Sequence, residues 1–369
     1  MKRIFSSLMV FMLILTPIAS LPGCAKNATG IAPTEIPPPV TNTVPPLSSA
    51  PSSETPVDYV TVKGIQYSTT LTSLQMNATG LSDEDIVPLQ YMKNLTTLSL
   101  LFNNISDLSP LAGLTSLTML ELGINEISDI SPLAGLINLT MLDLARNQIE
   151  DLSPLVGLTK LEGLGLGQNK FNNIAPLADL KNLTWLDLGD NKIGDISPLA
   201  NLTSLAWLFL NYTQISDITP LAGLANLAEL YLSDNQISDI APLAGLTNLT
   251  RLELGGNAFW GWNYLSDIAP LVDLVNLSTL ILRDNQINDI MPLAGLTNLT
   301  YLRLDNNQIS DLLPLSGLTN LTFLDLNGNQ ISELMPLSSL TNLSTLILTC
   351  NPITDWSPVA HIKYLSGNT

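Results

Sequence analysis

Most of the apolar residues of this chain obey one recurring pattern. From Leu227 it reads LAELYLSDNQISDIAPLAGLTN, with Leu227, Leu230 and Leu232 spaced as one edge of a short strand and Glu229, Tyr231 and Ser233 between or beyond them. A period of two puts the leucines on one side and the intervening residues on the other. The same LxxLxLxxN begins at Leu71, Leu95, Leu117, Leu139, Leu161, Leu183, Leu205, Leu227, Leu249, Leu277, Leu299, Leu321 and Leu343, thirteen units in all. Ten of the twelve intervals are 22 residues; the first is 24 and the one after Leu249 is 28. A single unit cannot bury its apolar edge, but stacked units can, each strand pairing in parallel with the next.

The rest of the unit follows from its polar and cyclic residues. An asparagine closes each strand, at Asn103, Asn125, Asn147, Asn169, Asn191, Asn235, Asn257, Asn285, Asn307, Asn329 and Asn351, with Thr79 and Thr213 in its place twice. A side-chain amide there can bond backbone groups left over as the chain turns, which predicts a buried asparagine ladder with two weaker rungs. A proline recurs on the return path, from Pro88 to Pro358. It suits the first turn of a short helix, and the few residues available favour a 3₁₀ or brief α segment. The expected fold class is therefore α/β: a right-handed, horseshoe-shaped solenoid of thirteen parallel strands on the concave face with short turns on the convex face.

The ends differ in composition. Residues 1–23 combine Lys2 and Arg3 with an apolar run from Leu8 to Leu15, the pattern of a secretory signal peptide, and end in LPG before Cys24. Residues 24–57 hold eight prolines and nine serines or threonines, too little apolar matter to fold, and read as a disordered linker. Residues 58–70 alternate as strand and are expected to cap the first unit by adding strand between Tyr59 and Tyr67, ahead of repeats spanning 71–356. Residues 357–369 should close the other end, helped by Trp356 in an inward position and by Val359, Ile362 and Leu365.

The formal net charge is −18. So acidic a chain repels nucleic acid and anionic head groups. Much of the charge comes from one repeated aspartate, among them Asp107, Asp129, Asp217 and Asp311, ahead of the convex turn. Single carboxylates one rung apart, without a DxDxDG loop, read as turn caps and not as a calcium site. No metal or cofactor is expected. After Cys24 only Cys350 remains, so no internal disulfide frames the fold, and the NLT and NLS triplets are by-products of the repeat.

Candidate chemistry lies at the strand positions that the core does not dictate. Of fifteen aromatic residues from Leu95 onward, eight fall there: Phe102, Trp185, Trp207, Phe209, Tyr212, Tyr231, Tyr301 and Phe323. Charged residues accompany them, chiefly Asp187, Asp190, Glu229, Arg251, Glu253 and Arg303, with Arg283 nearby. Core packing does not explain two tryptophans on adjacent strands at solvent-facing positions, so the set reads as a ligand-binding face for a protein. Stacking into stiffening cross-strand ladders is the plainer alternative, and stacked aromatics beside carboxylates also suit a glycan. Phe259, Trp260, Trp262 and Tyr264, in the six extra residues of the ninth unit, form a candidate binding lip. Catalysis finds little support: the sole histidine, His361, is terminal, and the pair Glu229 and Glu253 lacks an enclosed cleft.

The unit LxxLxLxxNxIxDIxPLxxLxN resembles the 22-residue leucine-rich repeats of bacterial internalins over residues 71 to about 365. The resemblance implies binding through the concave strand positions. The chain departs from that family in lacking an LPxTG wall-sorting signal and a following immunoglobulin-like domain. Its first 24 residues instead resemble a bacterial lipoprotein signal, which implies lipidation at Cys24 and a monomeric binding module held on a membrane outside the cytoplasm. A purely structural surface role and kinship with intracellular phosphatase regulators of similar repeat length are the competing expectations.

Overall fold

The computed structural model describes residues 58–256 and 263–367. The signal sequence, Cys24 and its linker, and Phe259, Trp260 and Trp262 of the expected lip lie outside the described residues.

A parallel sheet runs from β3 (Ser73–Gln75) to β16 (Tyr364–Ser366), every strand beside its sequence neighbour. Only three residues of each unit are extended, the middle one a leucine facing inward, and equivalent residues pair across units, as in Glu229 with Arg251 and Leu230 with Leu252. The register survives the longest unit, where Arg251 pairs with Thr279 although 28 residues separate them. The extra residues are thus absorbed without a slip that would turn the leucines outward. The inward leucines and isoleucines form one buried column from Leu74 to Ile362, into which Phe171 fits at a position that other units give to isoleucine.

Both ends differ from expectation. Among the described residues the sheet has fourteen strands and not thirteen, because Tyr364–Ser366 pairs with β15 (Thr345–Ile347). At the start, β1 (Tyr59–Val62) and β2 (Ile65–Ser68) add no strand to that sheet; they form their own antiparallel hairpin, turning at Lys63 and Gly64 with positive φ. Val60 and Val62 reach the core from it, so the hairpin caps with one face while Tyr59 and Ile65 stay exposed. Trp356, Leu365 and Ile353 pack partly buried on the last leucines.

The asparagine ladder joins the rungs. The Asn147 Nδ2 donates to the Leu144 carbonyl at 3.0 Å and to the Leu122 carbonyl of the preceding unit at 3.1 Å, and its Oδ1 accepts the Ile127 N–H at 3.0 Å. In the long unit the rung is Asn263 and not Asn257, which lies outside the described residues. Asn263 bonds the Leu232 and Leu254 carbonyls and the Ile237 N–H, so the extra residues enter before the ladder position. Thr213 fills its rung with a hydroxyl that reaches only the Leu210 carbonyl and the Asn235 amide oxygen.

The triplets read as by-products have structural work of their own. The Asn138 Nδ2 donates to the Thr115 carbonyl and the Asn342 Nδ2 to the Thr319 carbonyl; the Thr140 and Thr322 hydroxyls donate to the carbonyls of Thr118 and Thr300. Asparagine and threonine of these triplets thus tie consecutive units together. On the convex side, among the described residues, a short α-helix, α1 (Asp83–Ile86), and thirteen 3₁₀ segments follow the strands, proline in the first turn of every 3₁₀ segment. The aspartate ahead of the turn accepts the N–H two residues on, as in Ser131 to Asp129 and Thr219 to Asp217, both 2.8 Å. Asn173 does the same for Ala175.

Candidate binding face

The strand positions flanking each inward leucine form one continuous surface, and the structure brings most of the expected site residues together there. On β8 (Trp185–Asp187), β9 (Trp207–Phe209), β10 (Glu229–Tyr231) and β11 (Arg251–Glu253) the side chains stack across rungs. Phe209 lies flat on Tyr231 at 4.3 Å between ring centroids, Trp185 meets Phe209 edge-on at 6.1 Å, and the Arg251 guanidinium covers the other face of Tyr231 at 5.3 Å. The Tyr231 hydroxyl donates to Glu229 Oε2, and Arg251 donates twice to Glu253 Oε1. Glu229 and Glu253, weighed above as a hydrolytic pair, are thus each engaged by a neighbour. Burial and the Glu229 carboxylate push the Tyr231 hydroxyl well above the ordinary tyrosine range.

Two of the expected exposed aromatics are covered. Trp185 and Tyr231 are each only 8% exposed. For Trp185 the reason lies on the preceding strand, β7 (Gly163–Gly165), which carries no side chains on this face. A Cβ on Gly165 would sit 3.3 Å from Trp185 Cη2, and one on Gly163 would run into Met141. The indole therefore folds over a floor of bare backbone, with Met141 from the other side. Tyr231 is covered by the ring and the guanidinium that stack on it. The stacking alternative accounts for these two, whereas Trp207, Phe209, Tyr301 and Phe323 keep part of their surface in solvent and Tyr212 is 44% exposed.

A second group lies on β13 (Tyr301–Arg303) and β14 (Phe323–Asp325). Tyr301 and Phe323 stack at 4.3 Å, and Arg303 forks onto Asp305 at 3.0 and 2.9 Å while standing 3.5 Å from Asp325. Phe102 is exposed far from both groups, on a shallow depression it shares with Ala78 and Ile124. Tyr264 is exposed, and its N–H continues the backbone pairing to the Ile237 carbonyl.

The charged set read from the sequence holds Asp187 but not Asp143 or Asp234, and it says nothing of their burial. Asp143 and Asp187 lie against the backbone of neighbouring glycines, accepting the N–H groups of Ala145 and Gly189 at 3.0 Å each. Burial pushes Asp187 up to about 7 and Asp143 up to about 6, with further rises from the charges of Asp143 on the first and Glu121 on the second. Asp234, 2% exposed, is also raised by burial; the charge of Arg283 and the approach of the Tyr212 hydroxyl oppose the rise, while neither carboxylate oxygen has a partner in full hydrogen-bond geometry. The only signal in the sequence is the coincidence of aspartate with glycine at adjoining strand positions.

A model of the Leucine Rich repeats (2 copies) family matches residues 93–135, 137–182, 181–223, 225–273, 275–317 and 319–361. An internalin from Listeria monocytogenes is 38% identical, with a TM-score of 0.77, covering 83% of this chain and 90% of its own. This chain is an internalin-like leucine-rich repeat protein. A leucine-rich repeat protein of Leptospira interrogans shares the fold at 24% identity and a TM-score of 0.65, covering 79% of this chain and 81% of that one. The ectodomain of a plant receptor kinase from Arabidopsis thaliana, solved with Casparian strip integrity factor 2, is 26% identical with a TM-score of 0.68, over 81% of the internalin-like chain and 38% of the receptor. A comparison with curated proteins returns no match. No helix among the described residues is long and apolar enough to cross a membrane.

Proposed function

We propose that this internalin-like protein is an exported binding module, tethered to a bacterial membrane through Cys24 and the 24–57 linker, that holds a protein ligand on its concave face. The observation that carries the reading is the central stack. Phe209 and Tyr231 are fixed by parallel stacking and by Arg251, with Trp207 half-buried beside them. Aromatic and arginine side chains already locked in place lose little freedom on binding, which is why such anchors dominate protein interfaces. The internalin and the receptor ectodomain among the solved relatives support an extracellular setting. Within the face, Trp207, Phe209, Tyr212, Glu229, Arg251 and Glu253 form the centre, and Tyr301, Arg303 and Phe323 a second contact. Trp185 and Tyr231 act as the packed floor, and Phe259, Trp260, Trp262 and Tyr264 as an adjoining lip.

The test is capture of envelope proteins and glycans on the immobilised protein, beside a Trp207→Ala, Phe209→Ala variant whose thermal unfolding matches the parent. A protein held by the parent and lost by the variant supports the reading; a glycan lost in the same way transfers the face to carbohydrate. Equal retention by both removes the concave face as the site. The anchor is tested separately: Cys24→Ser should move the protein from the membrane fraction to the medium, and unchanged membrane association would refute lipidation there.

A further inference from the structure

The acids of the concave face divide into two sets. On the C-terminal side, each of Glu253, Asp284, Asp305 and Asp325 forms an ion pair with an arginine of the chain itself, supplied by Arg251, Arg283 and Arg303 at 2.5 to 3.5 Å. On the N-terminal side, Glu121, Asp143, Asp187 and Asp190 have no ion pair among the described residues, and no basic side chain contributes to the environment of Asp143 or Asp187. Asp234 lies at the boundary. It is nine-tenths buried and more, its oxygens lack a hydrogen-bond partner, and Arg283, the cation that favours its charge, donates to Asp284 instead.

Desolvated carboxylates without a cation are costly, and the ion pairs of the C-terminal half have no counterpart at Asp143 or Asp187, where Arg146 of the same half forms no ion pair among the described residues. We propose that the N-terminal half of the concave face, from Glu121 to Asp234, is the docking surface for lysine or arginine side chains of the protein ligand. The inference rests on the concave-face reading and adds the chemistry of the partner. With strands about 5 Å apart, Glu121 and Asp143 stand on adjacent rungs and Asp143 and Asp187 two rungs apart across Gly165, intervals that an extended basic segment crossing the rungs can match. Cations brought there would restore the charge that burial suppresses at Asp143 and Asp187, and the ordered aromatic rings next to them offer faces for the same cations. Like-charge repulsion excludes acidic segments from that half and steers them away during encounter.

The probe is a fluorescein-labelled peptide of alternating lysine and serine, with a glutamate–serine peptide as control, followed by anisotropy at low salt on the full mature chain. Asp143→Asn, Asp187→Asn and Asp234→Asn together should weaken the lysine peptide by at least about tenfold. A second triple variant, Asp129→Asn, Asp151→Asn and Asp217→Asn, removes the same charge from convex turns and should change binding less than about twofold. Asparagine already serves at the equivalent turn as Asn173, so that variant folds. Equal weakening by both variants reduces the attraction to net charge and overturns the proposal, as does absence of binding to the parent. The two readings separate in the capture experiment. A protein partner that needs Trp207 and Phe209 but is unaffected by the concave triple variant keeps the binding face and refutes the basic ligand.

Discussion

Asp187→Asn tests whether the concave carboxylates are a burden on the folded protein. Asp187 is 5% exposed and its carboxyl is pushed up to about 7 from an ordinary 3.8, chiefly by burial. The folded state therefore holds the proton more tightly than the unfolded chain does. Well below pH 3.8 both states are protonated and nothing is lost; as pH rises through 3.8 towards 7 the unfolded chain ionises first and the folded state is penalised. A shift of about three pH units corresponds to about 4 kcal/mol at pH 8 and, by the same linkage, about 2 kcal/mol at pH 5. Asparagine keeps the oxygen that accepts the Gly189 N–H and removes the charge. The variant should thus be more stable than the parent by about 4 kcal/mol at pH 8, with the gain halved at pH 5. Urea unfolding at the two pH values measures it. A gain that does not change with pH, or a loss at pH 8, would show that Asp187 is not held in a desolvated site.

The ladder predicts two changes of opposite sign. Asn147→Ala leaves the Leu144 and Leu122 carbonyls and the Ile127 N–H without their side-chain partner and should cost about 3 kcal/mol in urea unfolding. Thr213→Asn restores the amide that neighbouring rungs use, including an acceptor for the Ile193 N–H, and should raise stability by about 1 kcal/mol, read as a higher melting temperature. At the convex turns Asp217→Asn should lower the melting temperature slightly, keeping an acceptor for the Thr219 N–H but losing the charge that both Thr219 bonds favour, and Asp217→Ala should lower it more by removing the acceptor as well. Calorimetry across pH should place maximal stability between about 4 and 6, because raised concave carboxylates lose stability as pH rises and lowered convex ones lose it as pH falls below 4. A maximum at pH 7 or above would contradict the raised concave carboxylates, and stability that does not fall below pH 4 would contradict the lowered convex ones.

The repeat was readable because its demands are local and recur. Each leucine, asparagine and proline satisfies the same backbone geometry in unit after unit, so period, strand position, ladder and turn emerge from spacing alone. What spacing could not convey is contact between rungs. Trp185 stands at an outward position by count and is covered because Gly163 and Gly165 on the neighbouring strand offer backbone to lie on. The ladder position of the long unit fell to Asn263 because NAFWGWN contains two asparagines, and only the bonds to Leu232 and Leu254 choose between them. The end strand Tyr364–Ser366 is hidden in the sequence because Ile362 and Gly367 stand where other units place the first and third leucines. The bare acids were visible as letters, and their meaning depended on which neighbours were glycine and which were arginine.

Aspartate thus serves two opposite purposes on one solenoid. At Asp129, Asp151, Asp195 and Asp217 a carboxylate in water accepts an N–H and a hydroxyl from the turn it caps, and both bonds favour the anion and hold it below the ordinary range. At Asp143 and Asp187 one N–H is set against burial, and burial prevails. Turn capping explains the first group fully, because each acid improves the fold it belongs to. It cannot explain the second, since a neutral amide would accept the same N–H without the cost. Stability alone would replace those aspartates with asparagine, as at the turn of Asn173. A charge kept where it weakens the fold calls for a partner outside the fold, which the cationic ligand proposed for this face would supply.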